Sequence, residues 1–239
     1  MGDFVFITVK LKSFAKPLAA VCAAALFVFS VFAVLPNETV SVMGPYKGHT
    51  LLIDAGHGGV DGGAVSAEGI KESDVNLAIA LRMSGLCELM GIEHQMTRDA
   101  DVGCLNSESY SEHDDLVARA NMANSIPDCV LISVHQNKYP SELVKGAEVM
   151  YAATPESREL GLLTQDNMVS VLDPENRRVA HSAPEELLLT SSVSCPAILA
   201  ECGFMSNPQE AGRLANDDYQ MKIAMTLVAS YIQFSCQQL

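Results

Sequence analysis

The apolar run Leu51-Leu52-Ile53 breaks at once into a glycine-rich turn, DAGHGGVDGGA over residues 54–64, and this abrupt stop most narrows what the chain can fold into. A run that short and that apolar has the length and residue types of a buried strand, and the glycines at 56, 58, 59, 62 and 63 end it. Strands buried on both faces belong to parallel sheets, and in α/β proteins ligands and catalysts collect at their carboxyl ends. His57 stands at the first exposed position of the turn, where a sheet presents a metal ligand. The turn lacks the Gly-Lys-Ser/Thr ending of a phosphate-cradling loop and is not G-x-G-x-x-G, which disfavours nucleotide binding.

The rest of the chain alternates in the same way. Helices are expected over about 73–90, ended by Gly91, and over 114–124, 155–171, 208–215 and 218–234. Strands are expected at 92–97, 129–134, 147–152, 187–189 and 197–200. This order describes a single α/β domain with a mostly parallel central sheet flanked by helices on both faces. The stretch 99–114, rich in Ser, Asn and Asp, is long enough for a functional loop. There is no internal repeat and no low-complexity tract.

A chain of 239 residues holds one such domain of about 200 residues and an appendage. Leu18–Leu35 is uncharged, follows Lys10, Lys12 and Lys16, and falls between the length of a signal-peptide core and a membrane span of roughly 20 residues. Val31-Phe32-Ala33 resembles a cleavage site, so residues 1–36 read equally as a cleaved signal peptide or as an uncleaved signal anchor. Both readings export the remainder; membrane contact is expected only through this segment, if it is retained. Cys22 follows Val21 rather than the small residue of a lipoprotein site, which argues against lipidation. Residues 37–48, with Gly44, Pro45 and Gly48, read as a linker, and residues 49–239 as the folded domain.

The net charge is −14, and removing residues 1–36 takes away one acid and three lysines, which deepens it to −16. Affinity for phosphate backbones comes from Lys and Arg, so no nucleic-acid partner is expected. The seven cysteines form no C-x-x-C pair, which excludes a zinc ribbon, and those near apolar runs read as free, buried thiols.

Four acid or imidazole groups sit at strand ends or helix starts: His57, Glu72, His135 and Glu201. Glu72 opens the first expected helix and so points back towards the glycine turn, with Glu68 as a nearby competitor. His135 ends CVLISVH, and Glu201 ends PAILAE, where an acid is costly to bury without a partner or a function. With the strands side by side, all four converge on one edge of the sheet. Two imidazoles and one carboxylate are the ligand set of a catalytic zinc with an open position, leaving the other carboxylate to move protons. Asp54 is a candidate to orient a ligand imidazole or, equally, to brace the loop from beneath. Arg177 and Arg178 are either solvated or positioned for peptide carboxylates, and His94, His113 and His181 read as surface or loop residues.

IDAGHGG, then Gly69-Ile70-Lys71-Glu72, SVHQN and AECGFMSN in that order resemble the zinc-dependent N-acetylmuramoyl-L-alanine amidases of bacterial cell walls. The resemblance covers about residues 49–235. Leu116, Arg119, Ala120 and Asn124, the segment KGAEVMY, and Asn207 extend it. The short domain, the N-terminal hydrophobic segment and ENRRVAH look most like the germination-specific, CwlD-type subgroup of spore formers. The resemblance implies His57, Glu72 and His135 as ligands of one Zn2+ and Glu201 as the catalytic carboxylate. It implies a zinc metallohydrolase cutting the amide between N-acetylmuramic acid and L-alanine in spore cortex maturation. The implied partners are glycan strands with stem peptides and an activating or anchoring protein, and the implied place is the cell-wall or cortex side of the membrane. Cys202 stands where Val is common in the family, an exchange between small apolar residues. The stretch 171–187 is too short for the extra helix that blocks the zinc in division-associated relatives. A silent peptidoglycan-binding protein on this fold, or a zinc carboxypeptidase or aminoacylase, are the rivals that product analysis separates.

Overall fold

A computed structural model describes residues 48–105 and 111–238. The expected hydrophobic segment, the linker up to residue 47 and part of the polar stretch 99–114 lie outside the described residues. Among the described residues no helix is long and apolar enough to cross a membrane.

In chain order the elements are β1 (Thr50–Ala55), α1 (Glu72–Met90), β2 (His94–Met96), α2 (Glu112–Ser125), β3 (Cys129–Asn137) and β4 (Glu148–Tyr151). They continue as α3 (Pro155–Leu172), β5 (His181–Ser182), α4 (Leu188–Ser192), β6 (Ala197–Phe204), α5 (Pro208–Leu214) and α6 (Asp217–Gln237). The strands form one six-stranded sheet in the order β2-β1-β3-β6-β4-β5. All neighbours run parallel except β4, which is antiparallel to β6. This is the mostly parallel α/β sheet the sequence leads one to expect.

Side chains alternate across a pleated strand, and that alternation divides the molecule into two cores. Leu51 and Ile53 of β1, Val130, Ile132 and Val134 of β3, and Ile198 and Ala200 of β6 pack beneath α1, α3 and α6 in the larger core. Leu52, Leu131 and Ala197 face the other way, onto Ala120 and Ala123 of α2 and Leu189 of α4. Two steps further along this second face come Asp54, Ser133 and Leu199, and beyond them His135 and Glu201, which are register partners. The thinner helical layer of α2 and α4 leaves a cleft over these strand ends, lined by His57, His135, Leu116, Leu189, Leu199 and Glu201.

Several boundaries follow from local chemistry. Gly91, in the left-handed conformation at φ 67°, ends α1 while its N–H and that of Ile92 return to Cys87 and Glu88 carbonyls. Ser111, Thr154, Asn207 and Asn216 cap α2, α3, α5 and α6 through side-chain oxygens. Residues 187–189, expected as a strand, instead lead into α4. Three leucines carry no period, and only Leu189 and Thr190 of that helix are buried. β3 and β6 run past their expected ends to Asn137 and Phe204, with a register shift just after the His135 and Glu201 pair.

Candidate metal centre

The centre is assembled where β1 ends. Gly56 lies directly beneath the ring of His135: a Cβ there would stand 2.2 Å from Nε2, so only glycine leaves the imidazole room. His57 follows at φ 60°, a left-handed conformation uncommon for a residue with a side chain, which turns its ring back over the sheet edge. Gly63, at φ 63°, closes the turn; a Cβ there would lie 2.7 Å from both Glu72 Oε2 and His57 Cδ2.

Glu72, the first residue of α1, is aimed into this space and buried. Its Oε2 accepts from the Ala64 N–H at 2.8 Å. Its Oε1 accepts from the Gln136 N–H at 3.0 Å, at a point where β1 has already ended, and from Asn76 Nδ2 at 3.4 Å. His135 Nδ1 stands 3.0 Å and His57 Nε2 3.2 Å from the same oxygen. The two rings meet edge to face, 4.9 Å between centroids. Ligand atoms of His57, Glu72 and His135 all lie within 4.8 Å of one another, a spacing that can hold a metal ion.

Two carboxylates flank this cluster in different ways. Asp61 Oδ2 takes the Nδ1 proton of His57 at 2.7 Å, while its Oδ1 accepts from the Gly63 N–H at 3.0 Å. In a neutral ring, as a metal would require, that bond leaves the Nε2 lone pair towards Glu72 and His135. Glu201 lies on β6 beside His135, and its buried Oε2 has no hydrogen-bond partner. Glu148 stands directly across from Glu201 on β4, tied to Arg178 at 2.9 Å and His181 at 3.4 Å.

The charges divide accordingly. Burial alone would raise the Glu72 carboxyl, but hydrogen bonds and charge from His135 and His57 outweigh it and hold it below the usual carboxylate range. His57 goes the other way: burial would lower it, yet Glu72 and then Asp61 push it up to about 9. Glu201 is pushed up to about 7, first by burial and then by the negative charge of Glu72 and Glu148, against a partial offset from His135 and His57. The donor set suits a divalent cation. Two imidazole nitrogens and a carboxylate oxygen lie close together, and the buried Oε2 of a second carboxylate beside them has no hydrogen-bond partner.

All four expected residues, His57, Glu72, His135 and Glu201, therefore meet at one end of the sheet. Glu68 is exposed on the loop, where its N–H bonds Ser66 Oγ. Asp54 does not reach a ligand ring. It sits fully buried under the loop, bound to Arg119 Nη1 at 2.6 Å and to the hydroxyls of Thr97 and Ser133. Arg119 also donates to the carbonyls of Ala55 and His57, and Arg98 to those of Ala55, Gly56 and Ser73, so two buried guanidiniums clamp the β1 end. Arg178 is engaged by Glu148, the Lys145 carbonyl and the Phe204 ring, whereas Arg177 is exposed. Asp61, Asn76 and Gln136 escape a reading of the sequence. The i, i+4 spacing of Glu72 and Asn76 on α1 was the available signal for one of them.

Fold and site together define an α/β domain with a mostly parallel sheet whose centre is a His-Glu-His cluster with an adjoining carboxylate. The N-acetylmuramoyl-L-alanine amidase family model matches residues 51–232, and the chain belongs to that family. It is 31% identical over 195 residues to a germination-specific N-acetylmuramoyl-L-alanine amidase of Bacillus subtilis (strain 168), covering 80% of this chain and 81% of the relative. Among solved structures it is similar to the CwlD amidase of Clostridioides difficile in complex with the GerS lipoprotein. That match has a TM-score of 0.71 and 30% identity, over 78% of this chain and 98% of that one. An N-acetylmuramoyl-L-alanine amidase of Clostridium difficile 630 matches with a TM-score of 0.68 and 31% identity, over 78% and 96% of the two chains. The protein is thus a peptidoglycan amidase of CwlD type.

Proposed function

We propose that this amidase works with one zinc ion held by His57, Glu72 and His135, and that it removes stem peptides from spore-cortex glycan before germination. The observation that carries the reading is the buried, unpartnered Glu201 Oε2 next to the three converging ligand atoms. When bound, zinc supplies Lewis-acid polarisation of the amide carbonyl and lowers the pKa of an attacking water from 15.7 towards about 7. Glu201 accepts the proton of that water and returns it to the nitrogen of the departing L-alanine. Asp61 holds His57 in the ligating tautomer, and the apolar wall of Leu116, Leu189 and Leu199 excludes solvent from the reacting amide.

Residues 49–239 are the catalytic domain in this reading, and residues 1–36 deliver it to the cell-wall or cortex side as a signal peptide or anchor. The germination role rests on likeness to the Bacillus subtilis enzyme. The structural relative was solved with a lipoprotein bound, which supports a protein partner that activates or anchors this chain as well. The test pairs metal analysis of the purified chain with mass spectrometry of digested peptidoglycan. One zinc per chain and peptides with a new L-alanine amino terminus are expected. Glu201→Gln keeps the zinc and loses at least about 100-fold in rate. Near-normal turnover in that variant removes Glu201 from its role; absence of both zinc and cleavage after adding zinc and partner removes the enzymatic reading.

A further inference from the structure

At the opposite end of the sheet from the metal centre, two cysteines face each other across β3 and β6. The parallel register pairs Leu131 with Ala197 and Ile132 with Ile198; Cys129 opens β3, and Cys195 stands in the bend two residues before β6. The Leu131 N–H bonds the Pro196 carbonyl at 2.9 Å and holds this register up to the residue after Cys195. Alternation places both thiols on the same face: Cys129, Leu131 and Ala197 belong to the smaller core, and Cys195 packs against it. Parallel neighbours lie about 4.8 Å apart, and disulfides join Cα atoms separated by about 4.4–6.8 Å, so bridging needs little backbone movement.

All six described cysteines are free thiols, and among them Cys129 and Cys195 lie close enough for their thiols to influence each other. The proximity of the two thiols raises Cys129 and lowers Cys195. Both line an open surface pocket shared with His49, Asn124 and Asp128, so a small oxidant reaches them. Cys129 is 3% exposed and Cys195 is half-buried, which makes Cys195 the entry point and Cys129 the resolving thiol.

We propose that Cys129 and Cys195 form a disulfide that staples the amino-terminal ends of β3 and β6, with a small-molecule or protein disulfide as the oxidant. The Cys195 thiolate attacks one sulfur of that disulfide, whose S–S bond breaks and expels one thiolate. Cys129 then gives its proton to solvent and attacks Cys195 Sγ, expelling the second. Two thiols of the chain are oxidised and one external disulfide is reduced to two thiols. The staple joins the two strands that carry His135 and Glu201, about 20 Å from those residues along the strands. It therefore locks the register that sets them side by side without touching the reacting groups. An exported domain meets the oxidising surroundings in which such a bond persists. The pairing itself does not depend on the roles assigned to the metal centre.

The test treats the reduced, purified full chain with oxidised glutathione and digests it without reductant. Trypsin with a glutamate-specific protease cuts after Glu201 and separates Cys195 from Cys202. A cross-linked peptide pair containing Cys129 and Cys195 is expected, with a melting temperature several degrees above that of the reduced chain and unchanged amidase activity. Cys195→Ser keeps the reduced chain's melting temperature and activity and loses both the cross-link and the rise. Glutathione retained on Cys195 without resolution overturns the proposal. So does a cross-link through other cysteines, or a Cys129–Cys195 bond that leaves the melting temperature unchanged or lower.

Discussion

Asp61 shows how a single side chain can govern a metal centre without entering it. His57 Nδ1 is held 2.7 Å from Asp61, a carboxylate outside the cluster, whereas the carboxylate at His135 Nδ1 is Glu72 itself at 3.0 Å, so the two imidazoles are supported unequally. Removing the Asp61 charge while keeping its shape isolates that support. Asp61→Asn is expected to weaken zinc binding by about 10- to 100-fold. A competition titration against a chelator reads this directly, and an unchanged affinity would return Asp61 to a role in shaping the turn alone. The geometry also gives Glu72 the central place among the three proposed ligands. Its two oxygens already receive two backbone N–H groups, so the carboxylate is fixed before any metal arrives.

At the scale of elements, the β1 strand, its turn and α1 form the part that carries the function, and two buried arginines keep its shape. Arg119 joins Asp54, Asp115 and the carbonyls of Ala55 and His57 across the base of the turn. Burial would raise the Asp54 carboxyl above its ordinary 3.8, but Arg119, Ser133, His135 and Thr97 together hold it below that value. A carboxyl depressed in the fold contributes stability that is fully present above its unfolded value and is lost as pH falls through the folded one. Asp54→Asn is therefore expected to destabilise the chain at neutral pH by about 3 kcal/mol, since it leaves a buried guanidinium short of a charge. The difference should begin to shrink as pH falls below the ordinary 3.8, where the unfolded carboxyl takes up its proton, and should be gone only at the lower pH where the folded carboxyl does so too. Urea unfolding midpoints measured across pH check this, and a constant difference at every pH contradicts it.

On the scale of the molecule, the larger core depends on the last helix. α6 lies against both α1 and α3, and its Ile223, Leu227, Tyr231 and Phe234 are fully buried. The Tyr231 hydroxyl donates to the carbonyl of His49, just ahead of β1, so the end of the described chain is tied to its beginning. Phe234→Ala removes a ring from the centre of that contact, with an expected loss of about 3–5 kcal/mol. The denaturant midpoint should fall while zinc affinity at low denaturant stays the same, because Phe234 packs beside His49 ahead of β1, at the end of the sheet away from the metal centre. A parallel loss of metal would mean that the two cores do not act separately.

Much of this could be read before any coordinates, because the relevant signals are local. An apolar run cut short by glycine or by a lone acid marks a buried strand end, and that physics located His57, His135 and Glu201 on one edge. Glu72 followed because a residue opening a helix points back at the preceding loop. Other features depended on through-space partners that no local pattern encodes. Leu187–Leu189 has strand-like composition, yet the packing of Leu189 and Thr190 under the sheet made it the approach to a helix. The reversal of β4 came from pairing, with Glu148 opposite Glu201. Asp54 lies three residues before His57 and Asp61 four after it, and only the left-handed turn at His57 decided that Asp61 meets the ring while Asp54 turns beneath it. Cys129 and Cys195 lie far apart along the chain, and the pairing of β3 with β6 and the packing of the smaller core bring them together. The sequence by itself thus determined the alternating fold and the chemistry offered at its strand ends, since both are written in short-range polarity and backbone preference. Tertiary structure decided which groups touch, since contact is set by register, pleat and burial among segments distant in the chain.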